Sequence, residues 1–532
     1  MSSAKEVQNW FKNHVTDSDG KVYSLDKHQA AIVSDMHKNT LVTARAGSGK
    51  TRTIIAKIVY LLKHEGLQHK EIIVFAFNKK AKTEINERLT TIYFDKKPLF
   101  RKPPNIATTF HAFAYQILGG KQRLGDKIIS ESSEFCILKD IVPKYCPNLE
   151  NSKDLNKYVG TTKQFIIRAE QKFFKDYNEL EQKISEIPDA DTRSNLLLLE
   201  KIFQNYKKAL QTKNLINFNQ MVALAADELK DSTKYRYIFV DEYQDFSLLF
   251  LTLIKSLRRT CKNAKLLAVG DDWQAINRFA GSDVEYFTHF EKYFNENCAK
   301  LFIPTNYRSG KAIVKNANFF MSKALRDYNG CKSGNKLKSK IYFKDTKYWK
   351  KDEKQGKIPL LIKNYLEIII SIIGENPGKT VKILHRNNDL NFNDWPLEKF
   401  INLLKNLVVK EKILTESAAD ALISYSTIHR SKGLESDIVV LLEVDAGKFP
   451  SHDKTGGLFK IFGDDKKTLF EDEVRLFYVA LTRTKEQLYI LSKTTKISKD
   501  TKNFFSFLNQ EWLKEYQLTH FNNRSFSGEP SS

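Results

Sequence analysis

The stretch Leu41–Thr53, LVTARAGSGKTRT, constrains the fold more than any other part of the chain. An apolar run ends in Gly-Ser-Gly-Lys-Thr, and a helix-compatible run, Ile54–Leu62, follows at once. This order predicts a buried strand, a loop whose backbone N–H groups surround a phosphate, and a helix whose N-terminus adds partial positive charge. The chain is therefore expected to be an α/β protein that binds a nucleotide.

The side chains of this loop are of the types that hold phosphates and a metal ion. Lys50 is predicted to reach the β- and γ-phosphates, and the Thr51 hydroxyl is predicted to hold Mg²⁺. A strict phosphate-loop motif has glycine at position 44, where this chain has Ala44, with Arg45 beside it. The predicted nucleotide-binding residues of the loop are Ala44, Arg45, Ala46, Gly47, Ser48, Gly49, Lys50, Thr51 and Arg52.

The charge of the chain points to a polyanionic partner. Its 532 residues are too many for one compact core and predict three or four structural units. Lysine and arginine number 86 against 63 aspartate and glutamate, which leaves a net charge of +23. Such an excess favours nucleic acid, because neutralising phosphates releases counterions. A generally basic proteome, or solubility alone, is the other interpretation of this charge.

Cysteine spacing and hydropathy indicate the compartment. The five cysteines show no CxxC or Cys/His metal spacing, so we expect free thiols in a reducing cytoplasm and neither zinc nor an iron–sulfur cluster. Residues 1–24 contain no apolar core typical of a secretory signal. The most apolar window, Leu360–Gly374, is interrupted by Lys363 and Glu367 and is too short to span a bilayer, so no membrane partner is expected.

Two further strands end in polar and aromatic residues. The predicted strands are Glu71–Phe77 and Ile106–Phe110. The residues at their ends suit the phosphates and bases of a single nucleic-acid strand. Helix caps and core aromatics are the other interpretation of the same residues. The predicted nucleic-acid contacts here are Phe77, Asn78, Thr109, Phe110 and His111.

A helical insertion is expected next. Charged, helix-permissive segments at Lys163–Tyr177, Asn178–Ile187 and Asn195–Leu210 carry no chemical motif. The α/β pattern resumes with a predicted helix, Phe218–Leu229, and a predicted strand, Tyr235–Val240. The sequence therefore predicts one sheet domain interrupted by helices.

The strand that ends at Val240 leads into two carboxylates, Asp241 and Glu242. Asp241 is predicted to position Mg²⁺ through water, and Glu242 to orient and deprotonate the attacking water. A solvent-exposed turn is the alternative, which the apolar run Ile238–Val240 disfavours.

A later strand, Lys265–Val269, is followed by GDDWQAINRF. Gln274 in this loop is predicted to touch the γ-phosphate, while Arg278 and Phe279 face nucleic acid. One loop would then contact both ligands. Farther on, Asn306-Tyr307-Arg308-Ser309 offers an aromatic ring for stacking and an arginine for phosphate charge.

Nine blocks in this order resemble the UvrD/Rep-like superfamily 1 DNA helicases, a resemblance that covers about residues 22 to 490. The blocks are Gln29, AGSGKT, FNKKA, TTFHAF, DEYQD, VGDDWQAINRF, NYRS, STIHRSKGLES at Ser426–Ser436 and FYVALTRTK at Phe477–Lys485.

The resemblance implies two RecA-like P-loop NTPase motor domains, each with a parallel sheet flanked by helices. The first would comprise residues 1–118 and 218–305, interrupted by a helical insertion at 119–217. The second would comprise 306–495 with a vestigial 2B insertion near 390–420. Residues 496–532 would form a C-terminal helix, over Asn503–Tyr516, and a disordered tail from Asn522.

The resemblance also implies residue roles. Gln29 would read adenine, Tyr307 would stack on it, and Glu435 would touch the ribose, with Gly433 nearby. The catalytic set would be Lys50, Glu242, Gln274, Arg308 and Arg483, in which the second domain supplies both arginines as arginine fingers. The implied DNA contacts are Phe279 by stacking, and Asn78, Thr109, His111 and His429 along the backbone.

The implied function is an ATP-dependent DNA helicase or translocase that uses ATP and Mg²⁺ and moves 3′→5′ on single-stranded DNA in repair, recombination or replication. Its substrate would be a single strand, or a duplex with a 3′ tail. Only 38 residues separate Asp389 from Thr427, with one predicted helix at Trp395–Leu407, so the 2B subdomain is expected to be reduced or missing. This departure leaves a second interpretation open: a DNA-stimulated ATPase subunit or sensor that partners a nuclease, for example in phage defence, with little unwinding of its own.

Overall fold

The computed structural model describes residues 3–149, 152–229, 235–346, 360–390, 395–445, 448–451, 457–492, 504, 508 and 513–515. The chain forms two compact units. Unit 1 comprises Met1–Pro304 with Asp453–Asp472, and unit 2 comprises Thr305–His452 with Glu473–Ser532. The sequence analysis places Asp453–Asp472 in the second domain, whereas the structure groups this segment with the first unit.

Unit 1 is built on a six-stranded sheet in which every pair of neighbours is parallel. The strand order is β3-β2-β4-β5-β1-β6. The second strand is buried along its whole length, which suits a sheet covered by helices on both faces. The strands are β1 (Asn39–Ala44), β2 (Ile72–Ala76), β3 (Ala107–Thr109), β4 (Tyr237–Val240), β5 (Lys265–Gly270) and β6 (Cys298–Ile303).

Helices follow the strands of unit 1 and cover both faces of its sheet. The α-helices are Ala4–His14, Lys27–Ser34, Lys50–Lys63, Lys79–Thr90, Phe110–Ile117, Gly120–Leu124, Glu131–Ile141, Ser152–Phe173, Asn178–Ser185, Ala190–Thr212, Phe218–Glu228, Leu248–Thr260, Glu285–Thr288 and Phe290–Tyr293. The 3₁₀ turns are His69–Glu71, Val142–Lys144, Tyr243–Asp245, Asp272–Gln274, Arg278–Ala280 and Leu458–Phe462. A small antiparallel sheet joins Val15–Asp17, Ile92–Phe94 and Lys97–Pro98.

The predicted helical insertion is present and has its own apolar core. Its long helices, Ser152–Phe173 and Ala190–Thr212, extend beyond the predicted segments because buried residues recur at helical spacing along each of them. Three side chains from a distant part of the sequence, Phe459, Ile461 and Phe462, complete this core.

A buried ion pair holds that distant segment in place. The guanidinium of Arg168 donates from Nη1 and Nη2 to the two oxygens of Asp464 at 2.6 and 2.7 Å. The Arg168 and Asp464 side chains are only 6% and 11% exposed. The Arg168 guanidinium also lies 4.8 Å from the centre of the Phe462 ring. The segment 457–464 is therefore anchored to the insertion by charge as well as by apolar contact.

Unit 2 repeats the strand arrangement of unit 1. Its six strands are all parallel to their neighbours, in the order β9-β8-β10-β11-β7-β12, which is the order of unit 1 position by position. The predicted fold class, two parallel-sheet α/β domains with a helical insertion in the first, is confirmed. The strands are β7 (Lys340–Asp345), β8 (Val381–His385), β9 (Ile423–Thr427), β10 (Ser436–Leu441), β11 (Thr484–Ser492) and β12 (Leu513–Glu515).

The described helices of unit 2 include two between β8 and β9, where the sequence predicts one. The predicted helix at Trp395–Leu407 runs from Leu397 to Lys410, and Glu416–Leu422 follows it. The other helices are Lys311–Ala324, Leu360–Glu375, Lys466–Leu481, which crosses the division between the units, and the 3₁₀ turn His429–Ser431. Short strand pairs join Thr305–Asn306 to Lys332–Ser333 and Asp389–Leu390 to Trp395–Pro396.

The prediction of a helix over Asn503–Tyr516 is wrong for its last turns, because Leu513–Glu515 forms an edge strand paired with β7. Phe504 and Leu508 are buried, and the Phe504 ring packs on those of Phe449 and Phe477. The remaining residues of that segment, and the predicted tail from Asn522, lie outside the described residues. No helix in the described part of the chain is long and apolar enough to cross a membrane.

Removing one partner of the buried ion pair should destabilise unit 1. We expect Arg168→Met to lower the free energy of opening of the insertion by about 3–5 kcal/mol, because the Asp464 carboxylate is left buried without its partner. Native-state hydrogen exchange of peptides from Ala190–Thr212 measures this. Arg123→Met is the matched control, since Arg123 pairs with Glu228 in the same geometry while its side chain is 62% exposed. A loss below about 1 kcal/mol is expected for the control, and an equal loss in both variants would contradict the assigned role of the buried pair.

Candidate nucleotide and nucleic-acid sites

Strand order brings three of the predicted motifs to one edge of the first sheet. The strands β4, β5 and β1 are consecutive neighbours and parallel, so their carboxyl ends lie side by side. The phosphate loop follows β1, the Asp241-Glu242 pair follows β4, and Asp271 follows β5. The crevice outside the carboxyl ends of parallel strands is where such sheets bind ligands.

The phosphate loop has the backbone that the motif requires. Gly47 and Gly49 adopt φ angles of 73° and 83°, in the left-handed region that favours glycine, and the helix Lys50–Lys63 begins directly after Gly49. A side chain at Gly49 would approach Nε2 of Gln29 to 3.0 Å. The Ser48 hydroxyl is buried without a hydrogen-bond partner among the described residues. This loop therefore fits a phosphate group.

Lys50 lies among carboxylates at the start of that helix. Its Nζ atom is 2.9 Å from Oε1 of Glu242. Burial lowers the pKa of Lys50, but the carboxylates of Glu242, Asp271 and Asp241 outweigh that effect and raise the pKa overall. The lysine is therefore positively charged at neutral pH and available for phosphate.

Asp241 and Glu242 fit a divalent cation. Burial, with repulsion from Glu242, raises the pKa of Asp241 to about 7. The backbone N–H of Asp241 donates to the carbonyl oxygen of Phe75 at 2.9 Å, which fixes the carboxylate at the end of β4. A bound cation would favour the ionised form of both side chains. The chemistry of this donor set therefore suits Mg²⁺, with Thr51 in the adjoining turn of helix.

Asp271 accepts hydrogen bonds from two side chains in neighbouring parts of the site. Its Oδ1 accepts from Nη1 of Arg45 at 2.8 Å, and its Oδ2 accepts from Nε2 of Gln274. Its side chain is fully buried. Gln274, predicted to touch the γ-phosphate, is thus oriented by Asp271.

Gln244 connects Asp271 to the predicted catalytic base. Its Oε1 accepts from the backbone N–H of Asp271 at 2.8 Å, and its Nε2 donates to Glu242. A Cβ at Gly270 would lie 2.4 Å from Oε1 of Gln244, so only glycine fits at that point. Glu242 itself has φ 52°, a left-handed conformation that the bonds around it maintain.

Arg45, predicted to bind nucleotide, has a buried side chain that links two loops. It pairs with Asp271 and Asp272, and its guanidinium lies 3.8 Å from the centre of the Trp273 ring. Only 1% of the residue is exposed. Arg45 and Trp273 therefore contact each other, and the bonds of Arg45 tie the phosphate loop to the loop after β5.

The other predicted nucleotide contacts of unit 1 lie around the phosphate loop. Gln29 is 2% exposed, and its Nε2 donates to the carbonyl oxygen of Ser48 at 3.4 Å. Its Oε1 completes a capping box with Asp26. Arg52 stacks on the Tyr23 ring, with its guanidinium 3.9 Å from the ring centre.

In unit 2, the predicted nucleotide residues form a second cluster. Nε of Arg308 is 2.6 Å from Oε2 of Glu435. Nη1 of Arg483 donates to the carbonyl oxygen of Leu434 at 3.2 Å, so the two arginines approach the same turn. Gly433 begins that turn with φ 82°. Although burial raises the pKa of Glu435, Arg308 and Lys485 lower it overall, so this carboxylate is ionised.

Tyr307 and Arg483 of that cluster differ in exposure. Tyr307 is 43% exposed, as a ring that stacks on a base must be. Arg483 is 1% exposed and also donates through Nε to the carbonyl oxygen of Val479 at 3.0 Å. These bonds hold its guanidinium in a single orientation.

Helix caps account for two of the predicted nucleic-acid residues. Asn78 and Thr109 are the N-caps of Lys79–Thr90 and Phe110–Ile117, and each side chain accepts from a backbone N–H of its helix. The ring of Phe110 is 3% exposed and packs between Phe75 and Phe250. Phe110 therefore belongs to the core, which corrects the prediction that its side chain faces nucleic acid.

The remaining predicted nucleic-acid residues range from exposed to half-buried. Phe77 and Phe279 are 37% and 49% exposed. His111 borders a cavity of about 430 Å³, and burial lowers its pKa. Nε of Arg278 is 2.9 Å from Oδ2 of Asp472. In unit 2, burial and then the charges of Arg386 and Lys432 lower the pKa of His429 to about 4, so this histidine is neutral at pH 7.

The sequence reasoning missed the organising role of Asp271 and Gln244. Both residues stand inside motifs that it singled out, but neither was assigned a role. The available signal was the pairing of an additional arginine, Arg45, with an aspartate-rich loop, GDDWQ. A buried arginine requires a carboxylate, and Asp271 and Asp272 offered two.

The first unit is thus a P-loop NTPase domain, and the second has the same strand order. The family description "UvrD/REP helicase N-terminal domain" matches residues 25–295, and "UvrD-like helicase C-terminal domain" matches residues 392–495. The chain therefore belongs to the UvrD/Rep-like family of superfamily 1 helicases, which are ATP-hydrolysing enzymes.

Individual relatives carry names consistent with this family. A probable DNA helicase of Mycoplasma pneumoniae is 27% identical over 520 residues, which cover 93% of this chain and 89% of the relative. DNA helicase IV of Escherichia coli is 24% identical over 510 residues, 88% of this chain and 68% of the relative. The ATP-dependent DNA helicase Rep of Buchnera aphidicola is 28% identical over 320 residues, so the match covers 57% of this chain and 44% of the relative.

Glu242→Gln tests the catalytic base. The substitution keeps the shape of the side chain and removes the group that accepts a proton, so we expect ATP turnover to fall by about 10²–10⁴-fold. Nucleotide affinity should persist, because Lys50 is released from its ion pair. Steady-state ATPase and binding of a fluorescent nucleotide measure the two effects. Lys50→Ala is the contrasting variant and should lose both, whereas full turnover in Glu242→Gln would move the base elsewhere.

Arg45→Met tests the connection between the two loops. We expect a loss of stability of about 3–5 kcal/mol, because Asp271 would be left buried without its ion-pair partner. ATP turnover should fall as well, because Arg45 no longer holds in place the Asp271 carboxylate that accepts from Gln274. Calorimetry and ATPase assays on Arg45→Met, Asp271→Asn and the double variant form a double-mutant cycle. Additive losses in that cycle would show that the two side chains act independently.

Proposed function

We propose that this chain is an ATP-driven motor that moves 3′→5′ along single-stranded DNA and separates duplexes that carry a 3′ single-stranded tail. The family and the names of its relatives support DNA as the substrate. The direction of movement along DNA and the separation of duplexes go beyond what the family and these names state.

The loop between Gly270 and Ala280 carries the proposal. Its first half joins the phosphate loop through Asp271, and its second half ends in the exposed ring of Phe279. Seven residues lie between these two positions, and 3₁₀ turns make up much of the loop. A change in nucleotide state at Gln274 would therefore displace a ring that stacks on a base. This is the physical link between ATP and DNA in unit 1.

The residues of unit 1 would divide the chemistry of hydrolysis as follows. Lys50 and the loop amides bind the β- and γ-phosphates, while Thr51 and Asp241 would hold Mg²⁺, which neutralises phosphate charge when bound. Glu242 accepts the proton of the attacking water, and Gln244 orients that carboxylate.

We further propose that Arg308 and Arg483 of unit 2 act as arginine fingers. Their charge would stabilise the transferred phosphoryl group, so hydrolysis would require them at the nucleotide. Gln29 would read adenine, and Tyr307 with Glu435 would hold the nucleoside.

DNA repair, recombination or replication is the proposed setting. The alternative, a DNA-stimulated ATPase subunit that partners a nuclease, rests on the short segment between β8 and β9. The names of the relatives do not favour that alternative. Unwinding by the purified chain distinguishes the two interpretations.

The first experiment is steady-state ATPase without nucleic acid, with single-stranded DNA and with single-stranded RNA. Strong stimulation by DNA supports the motor. Duplexes with a 3′ tail or a 5′ tail then report polarity, and unwinding of the 5′-tailed duplex alone would overturn the proposed direction. ATPase activity that DNA leaves unchanged would overturn the proposal itself.

Phe279→Ala should weaken single-stranded DNA binding by about 5- to 150-fold, because stacking of a base on an aromatic ring contributes about 1–3 kcal/mol. Fluorescence anisotropy of a labelled strand measures the affinity. Tyr328→Ala is the matched control, since Tyr328 is a 79% exposed aromatic residue that has no proposed role. Equal losses in both variants would indicate that Phe279 has no specific contact.

A further inference from the structure

A second charged site lies at the edge of the first sheet opposite the phosphate loop. A cavity of about 310 Å³ is bordered by residues that precede or begin β1, β5 and β6. These three strands are neighbours in the sheet, and the phosphate loop follows the other end of β1. The six residues of β1 span about 20 Å between the cavity and the phosphate loop. The cavity is therefore separate from the nucleotide site.

Five cations from three parts of the chain border this cavity. Lys38 precedes β1, Lys255, Arg258 and Arg259 lie on the last turns of the helix Leu248–Thr260, and Lys262 precedes β5. The only carboxylate among the bordering residues of the described chain is Glu296, and it pairs with Lys38.

Four of the five cations have no carboxylate partner in the part of the chain that the structure describes. Across the described ranges, no carboxylate lies within 4 Å of the charged nitrogens of Lys255, Arg258, Arg259 or Lys262. Nε of Arg258 is buried and makes no hydrogen bond to any described residue. A buried guanidinium donor without a partner is costly. These side chains therefore present unneutralised charge and an unused donor to the cavity.

Helix stability alone does not explain the cluster. Cations near a helix C-terminus interact favourably with its dipole, which accounts for Arg258 and Arg259. Lys38 and Lys262 belong to other elements and lie outside that helix. Their convergence on one cavity requires a different reason.

We propose that this cavity binds the phosphate groups of a nucleic-acid strand, as a second contact beyond the proposed motor site. Phosphate oxygens are acceptors that Lys and Arg donors match. Positive charge continues beyond the cavity: burial lowers the pKa of Lys255, and the nearby charge of Lys175 adds a smaller lowering. A polymer uses such an extended surface, whereas a single small anion does not.

An aromatic ring beside the cations adds a contact that nucleic acid uses and an acidic peptide does not. Nζ of Lys255 lies 5.5 Å from the centre of the half-buried Tyr293 ring, whereas the neighbouring Phe294 is 3% exposed and belongs to the apolar core. Rings next to basic side chains are typical of surfaces that bind single strands.

Charge reversal at two of the three exposed cations, Arg259 and Lys262, tests the site in the full chain. Arg259→Glu/Lys262→Glu should reduce the slope of log affinity against log salt by about 1.4 for a single strand of about 40 nucleotides, since each lost phosphate contact removes about 0.7. Arg259→Lys/Lys262→Arg keeps the charge and should keep the slope. Lys5→Glu/Lys21→Glu changes the net charge by the same amount at exposed positions elsewhere in unit 1 and should also keep it. Equal reductions in both reversal variants would overturn the proposal in favour of net charge alone.

Hydrogen exchange locates the contact. The single strand of about 40 nucleotides should slow hydrogen exchange in peptides covering 255–262 and 293–296 of the unaltered protein. This protection should disappear in Arg259→Glu/Lys262→Glu. Equal protection by inorganic phosphate alone would overturn nucleic acid as the occupant, as would protection by an acidic peptide but not by DNA. Stimulation of ATPase by DNA is measured in parallel, and its failure would count against the proposed motor function without affecting this readout.

Discussion

The parallel arrangement of strands is the constraint on which the rest of this structure depends. Each parallel strand must be followed by a crossover before the next begins, so all six carboxyl ends of a sheet lie at one edge. Residues far apart in the sequence, such as Lys50, Asp241 and Asp271, therefore meet there. The same strand order in both units gives unit 2 an equivalent edge, reached by β8, β10 and β11.

Within that edge, buried charge determines how the site residues are held. Asp271 is fully buried: Arg45 and Gln274 donate to its carboxylate, and Gln244 accepts from its backbone N–H. A buried carboxylate is tolerated only when such partners surround it. Losing any one of these bonds would raise the free energy of the folded state, so they hold the phosphate loop and the loop after β5 in a fixed position relative to each other. Precise positioning of the catalytic groups follows from this requirement.

The sequence predicted much of the fold and most of the candidate site, for identifiable reasons. Strands buried on both faces show as apolar runs, and the phosphate loop is recognisable because its glycines and lysine have few substitutes. The prediction was wrong at Phe110, whose ring lies in the core, and at Leu513–Glu515, which forms a strand. In both cases a contact with a residue distant in sequence overrode the local pattern, and local patterns carry no information about such contacts.

By itself, the sequence determined the α/β class, the position of the phosphate loop and the residues that follow the strands, because strand and loop signals are local. Only the tertiary structure decided that Arg45 pairs with Asp271, that the segment 457–464 completes the core of the helical insertion, and that five cations meet at the opposite edge of the sheet. Each of these depends on which elements become neighbours. That choice is made by burial of apolar surface and pairing of charges across the whole chain, as for Arg168 and Asp464, whose residue numbers differ by 296.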